Sequence, residues 1–307
     1  MAVYVNTNVS SLNGRRYLNN VQNSLTTTYQ RLSSGMRINS AKDDAAGLQI
    51  ADRLTTQING LNQGNRNSND AIALAQTMEG ALDETSSMLQ KIRTLAVQAA
   101  NGTNTSDDRK ALQQEVTSLS NEVNRIAGQT KFGGQQILAS AGKGFIGTDS
   151  KITFQVGANK GDEIVLTANS AGFTISGIAV AAGKIAIEND ATKASNTGLV
   201  KVGNETARWS VSSADAAKKT LENIDKFIAA VDGKRADLGA FQNRLESSIR
   251  NQANVSANQA DARSRIRDAD FAEESANLSQ QSIIQQAATS MLMQANSRPQ
   301  LALSMLG

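Results

Sequence analysis

Apolar residues recur at alternating spacings of three and four through the first part of the chain, as far as about Ala139. This is the heptad pattern of helices that pack against other helices along one stripe. A Ser-Ser-Gly sequence at residues 33–35 interrupts the pattern, and Ser40 followed by Asp43 resembles a capping box that starts a second helix. Ser106 is expected to cap a third helix. The zone is therefore predicted to be helical almost throughout.

The middle of the chain, about residues 142–206, is richer in Gly and changes to period-two alternation. Ile152, Phe154 and Val156 alternate with polar residues, which predicts short strands and turns. The apolar residues from Phe173 to Ile187 are expected to continue this small β region. Gly142, Gly144 and Gly147 spell GxGxxG, but a dinucleotide site needs a strand before the motif and a helix after it. A Gly-rich turn is expected there.

Heptad spacing returns after the middle zone and continues to the end of the chain. Leu221, Ile224 and Ile228 begin one series, for which Ser213 or Asp215 can provide the start. Because the two ends of the chain share one pattern, the terminal helices are expected to pair with each other. The predicted fold class is mainly α: an elongated antiparallel coiled coil or helical bundle built from both termini, with a small β-hairpin region in the middle of the chain.

The composition excludes most familiar enzyme chemistry. The chain has no His and no Cys, so a Ser-His-Asp triad, a Cys-His pair and a thiolate zinc site are all impossible. Carboxylate, Lys or Tyr chemistry stays open, but no cluster of such residues converges in the sequence. We therefore predict no enzyme activity and no catalytic, cofactor-binding or metal-binding residue.

Charge and hydropathy exclude two classes of partner. A formal charge of +3 is spread over 307 residues with only 4% aromatic residues, which is not a nucleic-acid-binding pattern. No run approaches the roughly 20 apolar residues of a membrane span, so no membrane insertion is expected. The segment from Met1 to Leu12 lacks the pattern of a signal peptide.

Several long motifs resemble those of bacterial flagellins. The run RLSSGMRINSAKDDAAGLQIADRL, Arg31 to Leu54, is similar to the N-terminal signature of that family. FQVGAN, SRIRDADFAEE and ANSRPQLALSMLG continue the resemblance in the family's order, to the last residue. The resemblance implies a structural subunit that polymerises into the helical flagellar filament used for motility. A hook-filament junction protein with related termini is one alternative, although FQVGAN and the full N-terminal signature favour flagellin, and a stand-alone coiled-coil adhesin is another.

The resemblance also implies a domain organisation. Residues 1–43 with 268–307 would form an inner helical domain in the filament core, and residues 44–267 a second domain without large outer domains. The termini are expected to become fully helical only on assembly, because isolated helices are marginal in water. The residues expected to pack in the filament core are Val5, Val9, Leu12, Leu18, Val21, Leu25, Leu32, Leu278, Ile284, Met291, Leu301 and Leu306.

The same resemblance implies partners and a location. The family is exported unfolded through the flagellar type III channel, without a cleaved signal peptide, and polymerises outside the cell. The expected partners are further copies of the chain, an export chaperone, the filament cap and hook-filament junction proteins. No cofactor is expected.

A flagellin-sensing Toll-like receptor of animal hosts is a further expected partner. The receptor-contacting surface of the family resembles the segment containing Gln90, Lys91, Leu95 and Gln98, joined by Glu115. Leu95 is expected to be exposed on this face, the alternative being that it packs in the inner seam. Lys91 and Thr94 stand where Arg and Glu are usual, so weaker recognition is expected. In the family this face is buried between neighbouring subunits of the filament.

Overall fold

The computed structural model describes residues 7–189, 194–201 and 206–304. The helices are α1 (Val9–Ser34), α2 (Ala45–Ala100), α3 (Ser106–Gln129), α4 (Ile175–Ala181), α5 (Ala194–Thr197), α6 (Ala214–Arg267) and α7 (Phe271–Ser304). The strands are β1 (Lys131–Phe132), β2 (Gln135–Gln136), β3 (Lys151–Gln155), β4 (Glu163–Thr167), β5 (Leu199–Val200) and β6 (Arg208–Trp209). They form three antiparallel pairs, β1 with β2, β3 with β4 and β5 with β6. The predicted mainly α fold with small hairpins is confirmed.

The chain divides into two compact units. The terminal unit consists of Met1–Asn59 with Val255–Gly307, and the central unit is Gly60–Asn254. Each unit contains its own helix packing, as described below.

The central unit has a continuous hydrophobic core to which α2, α3, α6 and the hairpins contribute. Trp209 and Phe227 are fully buried, with their rings edge to face and their centroids 4.7 Å apart. Burying one large apolar side chain stabilises a fold by about 1.5 to 3 kcal/mol. The heptad positions of α2 that fill this core include Leu74, Met78, Leu82, Leu89 and Ile92.

The start of α3 differs by one residue from the prediction. Thr105, rather than Ser106, is the cap: its side chain accepts a hydrogen bond from the Asp108 backbone N–H, and the Asp108 carboxylate accepts one from the Thr105 backbone N–H. This reciprocal pair is a capping box, and Ser106 is the first helical residue. Hydrogen bonds from the Thr105 hydroxyl and N–H lower the pKa of the Asp108 carboxyl.

The start of α2 is built from two adjacent carboxylates. The Asp43 carboxylate accepts one hydrogen bond from the Ser40 backbone N–H, at 2.9 Å, and another from the Ser40 hydroxyl. Asp44 then accepts a bond from the Gly47 N–H at 2.9 Å. Backbone N–H donors from Ser40 and Asn39 lower the pKa of the Asp43 carboxyl. The expectation that Ser40 and Asp43 form the capping box of this helix is wrong: their hydrogen bonds lie in a turn before Ala45, and Asp44 accepts the hydrogen bond from the first turn of α2.

The middle zone contains both the predicted strands and an unpredicted helix. In β3 and β4, Ile152 pairs with Leu166, and both side chains are buried. The expectation that the strands continue to Ile187 is wrong, because residues 175–181 form α4. Thr174 caps this helix by accepting a bond from the Gly177 N–H, and Ile175 and Ile178 are buried one turn apart. The GxGxxG motif lies in a turn, with positive φ at Gly142 and Gly144.

The terminal unit is built on the antiparallel packing of α1 against α7. Asn8 at the beginning of α1 donates to the Ala295 carbonyl near the end of α7, at 2.8 Å. Arg31 near the end of α1 lies 3.1 Å from Glu274 in the first turn of α7. The prediction that the terminal helices pair with each other is therefore confirmed.

Candidate functional site

The α1–α7 pair exposes large apolar side chains. More than half of the large hydrophobic residues that are exposed, among those the structure describes, lie on these two helices. They are Val9, Leu12, Tyr17, Tyr29, Phe271, Ile283, Met291 and Met293. Exposed apolar side chains concentrated on one pair of helices are candidates for contact with another protein. We call these eight residues the apolar face of the terminal unit.

The residues predicted to pack in the filament core fall into three groups where the structure describes their side chains. Val21 and Leu25 are buried in the α1–α7 contact, whereas Val9, Leu12 and Met291 belong to the apolar face. The half-buried residues are Leu18, Leu32, Leu278 and Ile284. Val5 and Leu306 lie outside the described residues, as does the side chain of Leu301, which is in α7. Their packing in a filament stays a prediction.

A groove of about 810 Å³ runs between α1 and α7. Gly14 brings the two helices close, because a Cβ at that position would lie 2.9 Å from Leu292 Cδ1. Tyr17 and Met291 are among the groove's lining residues. Two residues of the apolar face therefore line the groove, together with polar and small residues such as Ser10 and Gln294.

The two chain segments that leave the α1–α7 pair are hydrogen-bonded to each other. The backbone N–H groups of Arg37 and Ile38 donate to the Arg267 carbonyl at 2.7 and 3.3 Å, and the Ala269 N–H donates to the Gly35 carbonyl at 3.0 Å. Gly35 has a φ of +70°, which a residue with a Cβ adopts only at a cost. This junction holds the end of α1 and the start of α7 in register.

A partly buried ion pair lies beside this junction, with the Arg31 side chain 31% exposed. The Glu274 side chain is 9% exposed and contacts the Arg31 guanidinium, whose Nε has no hydrogen-bond partner among the described residues. Removing one partner of a buried pair is costly because the other charge stays desolvated. The pair therefore favours one register of α1 against α7.

The predicted recognition residues lie at the contact of α2 with α3. Lys91 Nζ is 3.0 Å from Glu115 Oε1, and both side chains are exposed. Gln90 and Gln98 are exposed as well. Gln98 and Glu115 also line a shallow groove of about 470 Å³. Four of the five predicted residues thus lie at the surface, and their role in binding stays a prediction.

The expectation that Leu95 is exposed is wrong. Its side chain is 8% exposed and belongs to the core of the central unit. Ile92, Ala96 and Ala99 on the same helix are fully buried, so the buried stripe of α2 is wide enough to include Leu95. On the exposed part of this segment, Arg93 forms an ion pair with Asp225 of α6 at 2.7 Å, which the sequence did not suggest.

A second feature missed from the sequence is the docking of the β3–β4 turn on α2. A Cβ at Gly64 would collide with the Val156 carbonyl, and one at Gly60 would lie 2.6 Å from Ala158 Cβ. The Gln252 side chain of α6 donates to the same Val156 carbonyl at 2.5 Å. The available signal was the spacing of four between the two glycines, which leaves a small-residue stripe on one helix face.

Metal-ligand groups and membrane-spanning helices are both absent from the described residues. No group of three or more acidic side chains among them could hold a metal ion. No helix within the described ranges has the length and hydropathy to cross a membrane.

Comparison with known proteins agrees with the motifs at both ends. The model of the bacterial flagellin N-terminal helical region matches residues 5–143, and that of the C-terminal helical region matches residues 221–306. Flagellin D of Vibrio anguillarum is 36% identical over 386 residues, and flagellin D of Vibrio cholerae is 36% identical over 384, each alignment covering all of both chains.

One solved structure shares the fold. A flagellar hook-associated protein from Vibrio parahaemolyticus aligns with a TM-score of 0.54 at 15% identity, covering 74% of this chain and all of that chain. At this identity the likeness shows the fold alone and does not favour the hook-filament alternative. From the two family models and the full-length relatives, the chain belongs to the bacterial flagellin family, whose members are structural filament subunits and not enzymes.

Proposed function

We propose that the apolar face of the terminal unit is the surface through which copies of the chain assemble in the core of the flagellar filament. The chain is a flagellin, and flagellins polymerise with themselves into a filament outside the cell. The observation that supports the proposal is the concentration of exposed large side chains on α1 and α7. A neighbouring copy would remove these side chains from water. This burial would stabilise the assembly by about 25 cal/mol for each Å² of apolar area.

The proposed inner domain is residues 1–43 with 268–307, and the second domain is residues 44–267. This division is supported by the positions of the helix ends. Helix α1 ends at Ser34 and α2 begins at Ala45, and α6 ends at Arg267 and α7 begins at Phe271. The compact units have other limits, after Asn59 and before Val255. A boundary at the helix ends would let α1 and α7 pack as one element between neighbouring copies. A subunit interface that repeats by one operation without closing produces a helical filament.

Seeded polymerisation of purified protein tests this surface. Val9→Asp and Ile283→Asp each place a carboxylate on the apolar face, where burial without a partner is unfavourable. Val180→Asp is the matched control, because Val180 is 47% exposed on α4 in the central unit. We expect the first two variants to stop filament growth on seeds and the control to grow. Normal growth of Val9→Asp and Ile283→Asp would contradict the proposal.

The finer partners are proposed from family membership. The export chaperone, the filament cap and the hook-filament junction proteins would each bind this chain during export and assembly through the type III channel. Pull-down of each purified partner with the full chain tests them one at a time.

We also propose recognition of the monomer by a flagellin-sensing Toll-like receptor, through Gln90, Lys91, Gln98 and Glu115. The supporting observation is that these side chains are exposed together at one surface. Arg presents a planar fork of donors that Lys lacks, so Lys91→Arg is expected to strengthen binding by about 1 to 2 kcal/mol. Titration against the receptor ectodomain measures this, with Lys110→Arg on α3 as the control.

The buried position of Leu95 changes how the receptor experiment is interpreted. Leu95→Ala would lose affinity through a cavity in the core as well as through any contact. Gln98→Ala leaves the core intact and therefore tests the surface directly. Unchanged affinity for both Gln98→Ala and Lys91→Arg would place the receptor site elsewhere.

A further inference from the structure

All sulfur atoms of this protein are thioethers, because the chain has seven Met and no Cys. Among the described residues, Met78 is 2% exposed, and Met36 and Met88 are half-buried. Met291 and Met293 on α7 are different, with 71% and 67% of their surface exposed. Since oxidants modify the thioethers that they can reach, these two sulfur atoms are the most accessible targets in the described part of the chain.

The position of the two residues on α7 explains their exposure. Leu292, between them, packs on Gly14 of α1. Successive residues of a helix are rotated by about 100°, so Met291 and Met293 lie on the two sides of this contact. Met291 also lines the groove beside Tyr17. Both sulfur atoms therefore belong to the apolar face but not to the α1–α7 contact.

We propose that Met291 and Met293 form an oxidation site that controls assembly, with peroxide as the oxidant class. The inference rests on the proposed function, in which another copy covers the apolar face. A sulfur lone pair attacks one oxygen of hydrogen peroxide, the S–O bond forms and the O–O bond breaks. The proton of the transferred hydroxyl goes to the departing hydroxide, which leaves as water. The sulfur loses two electrons to become a sulfoxide, and the peroxide is reduced.

The sulfoxide changes the surface where assembly takes place. Its oxygen is a strong hydrogen-bond acceptor, and burying such an acceptor without a donor is unfavourable. An oxidised monomer therefore adds slowly to a filament end. In the filament the same sulfur atoms are covered, so assembled subunits are protected from the oxidant.

The test treats the full-length monomer with hydrogen peroxide, maps sulfoxides by peptide mass spectrometry and follows growth on seeds. We expect sulfoxides at Met291 and Met293 before Met78, and growth slowed by about tenfold or more. Leu and Met have similar volumes, so Met291→Leu with Met293→Leu is compared with its own untreated growth rate, which hydrogen peroxide is expected to leave unchanged. Met78→Leu is the matched control and is expected to stay as sensitive as the unmodified sequence. Met305→Leu is tested separately, because Met305 lies outside the described residues.

Two further measurements separate the possible failures. Methionine sulfoxide reductase added to the treated monomer is expected to restore growth, since the sulfoxide is reversible. Normal growth of protein that carries both sulfoxides would overturn the inference, as would equal sensitivity of the double Leu variant. If the untreated double variant does not grow, the two single Leu variants take its place. If the proposed assembly surface is itself wrong, a different result is expected: untreated Val9→Asp and Ile283→Asp will grow normally.

Discussion

The central and terminal units use the same heptad pattern with different results. In the central unit the stripes of α2, α3 and α6 are buried, and residues such as Leu82 and Phe227 are completely inaccessible. In the terminal unit the described hydrophobic residues that are buried are Val21, Leu25, Ile38, Ala51, Ile58 and Ala288, and larger side chains on α1 and α7 face water. A heptad pattern thus shows that a helix has an apolar stripe, but not whether its partner lies in the same chain.

The comparison has an energetic consequence. The central unit gains its stabilising burial within one chain, whereas α1 and α7 keep large apolar side chains exposed in the monomer. Helices with little tertiary packing are marginally stable. We therefore expect the terminal unit to open locally in the monomer at a lower free energy than the central unit unfolds.

The largest expected effect comes from shortening the C-terminus. Deletion of Leu301 to Gly307 removes two of the apolar residues predicted to pack in the filament core. We expect growth on seeds to stop, while thermal unfolding of the central unit, followed by Trp209 fluorescence, stays unchanged. Growth at the normal rate would contradict the prediction that Leu301 and Leu306 pack in the filament core.

The second prediction compares one buried residue from each unit. Phe227→Ala leaves a cavity beside Trp209 and is expected to lower the free energy of unfolding by about 3 to 5 kcal/mol. Leu25→Ala is expected to change the unfolding of the central unit by less than about 0.5 kcal/mol, because α1 opens first. Urea unfolding of the monomer measures both. A similar loss in the two variants would mean that the units unfold as one.

The third prediction concerns the docking of the β3–β4 turn within the central unit. Gly64→Ala forces a methyl group against the Val156 carbonyl and is expected to destabilise the unit by about 1 to 3 kcal/mol. Gly80→Ala is the matched control on the same helix, since no atom lies within 4 Å of its Cβ position. The control is expected to stabilise by about 0.5 to 1 kcal/mol. If both variants are equally stable, the turn does not depend on close approach to α2.

The smallest expected effect is a pH dependence at the start of α3. The Thr105 hydroxyl and N–H lower the pKa of Asp108 in the folded protein. A carboxyl group whose pKa is lowered in the folded protein stabilises the fold at pH values above its ordinary pKa. This stabilisation is lost as the pH falls through the pKa of the folded state. NMR titration of the carboxyl carbon should give a pKa below the ordinary value, and Thr105→Val should raise it. An unchanged pKa in that variant would show that the capping box does not lower the pKa of Asp108.

The sequence predicted the elements that depend on local periodicity. Heptad spacing located α1, α2, α3, α6 and α7, and period-two alternation located β3 and β4. It did not predict α4, since Ile175 and Ile178 occur in a Gly-rich zone where two apolar residues fit a strand as well as a single helical turn. The start of α3 was wrong by one residue because adjacent Thr and Ser can both cap.

The surface residues were harder to predict than the elements. Sequence spacing places Lys91, Leu95 and Gln98 on one side of α2, but only the packing of neighbouring elements decides which of them is covered. The role of Gly60 and Gly64 was equally hard to predict, because it depends on a turn about 90 residues later in the chain. Tertiary contacts of this kind are not encoded in local spacing.

Hydrogen exchange read by mass spectrometry, on the monomer and on the filament, tests whether α1 and α7 complete their packing only in the filament. Amides in α1 and α7 are expected to exchange fast in the monomer and to become protected on assembly. Amides of α2, α3 and α6 within Gly60–Asn254 should be protected in both states. Equal protection of α1, α7 and the central unit in the monomer would contradict this, because the apolar stripes of α1 and α7 would then be fully packed without a neighbouring copy.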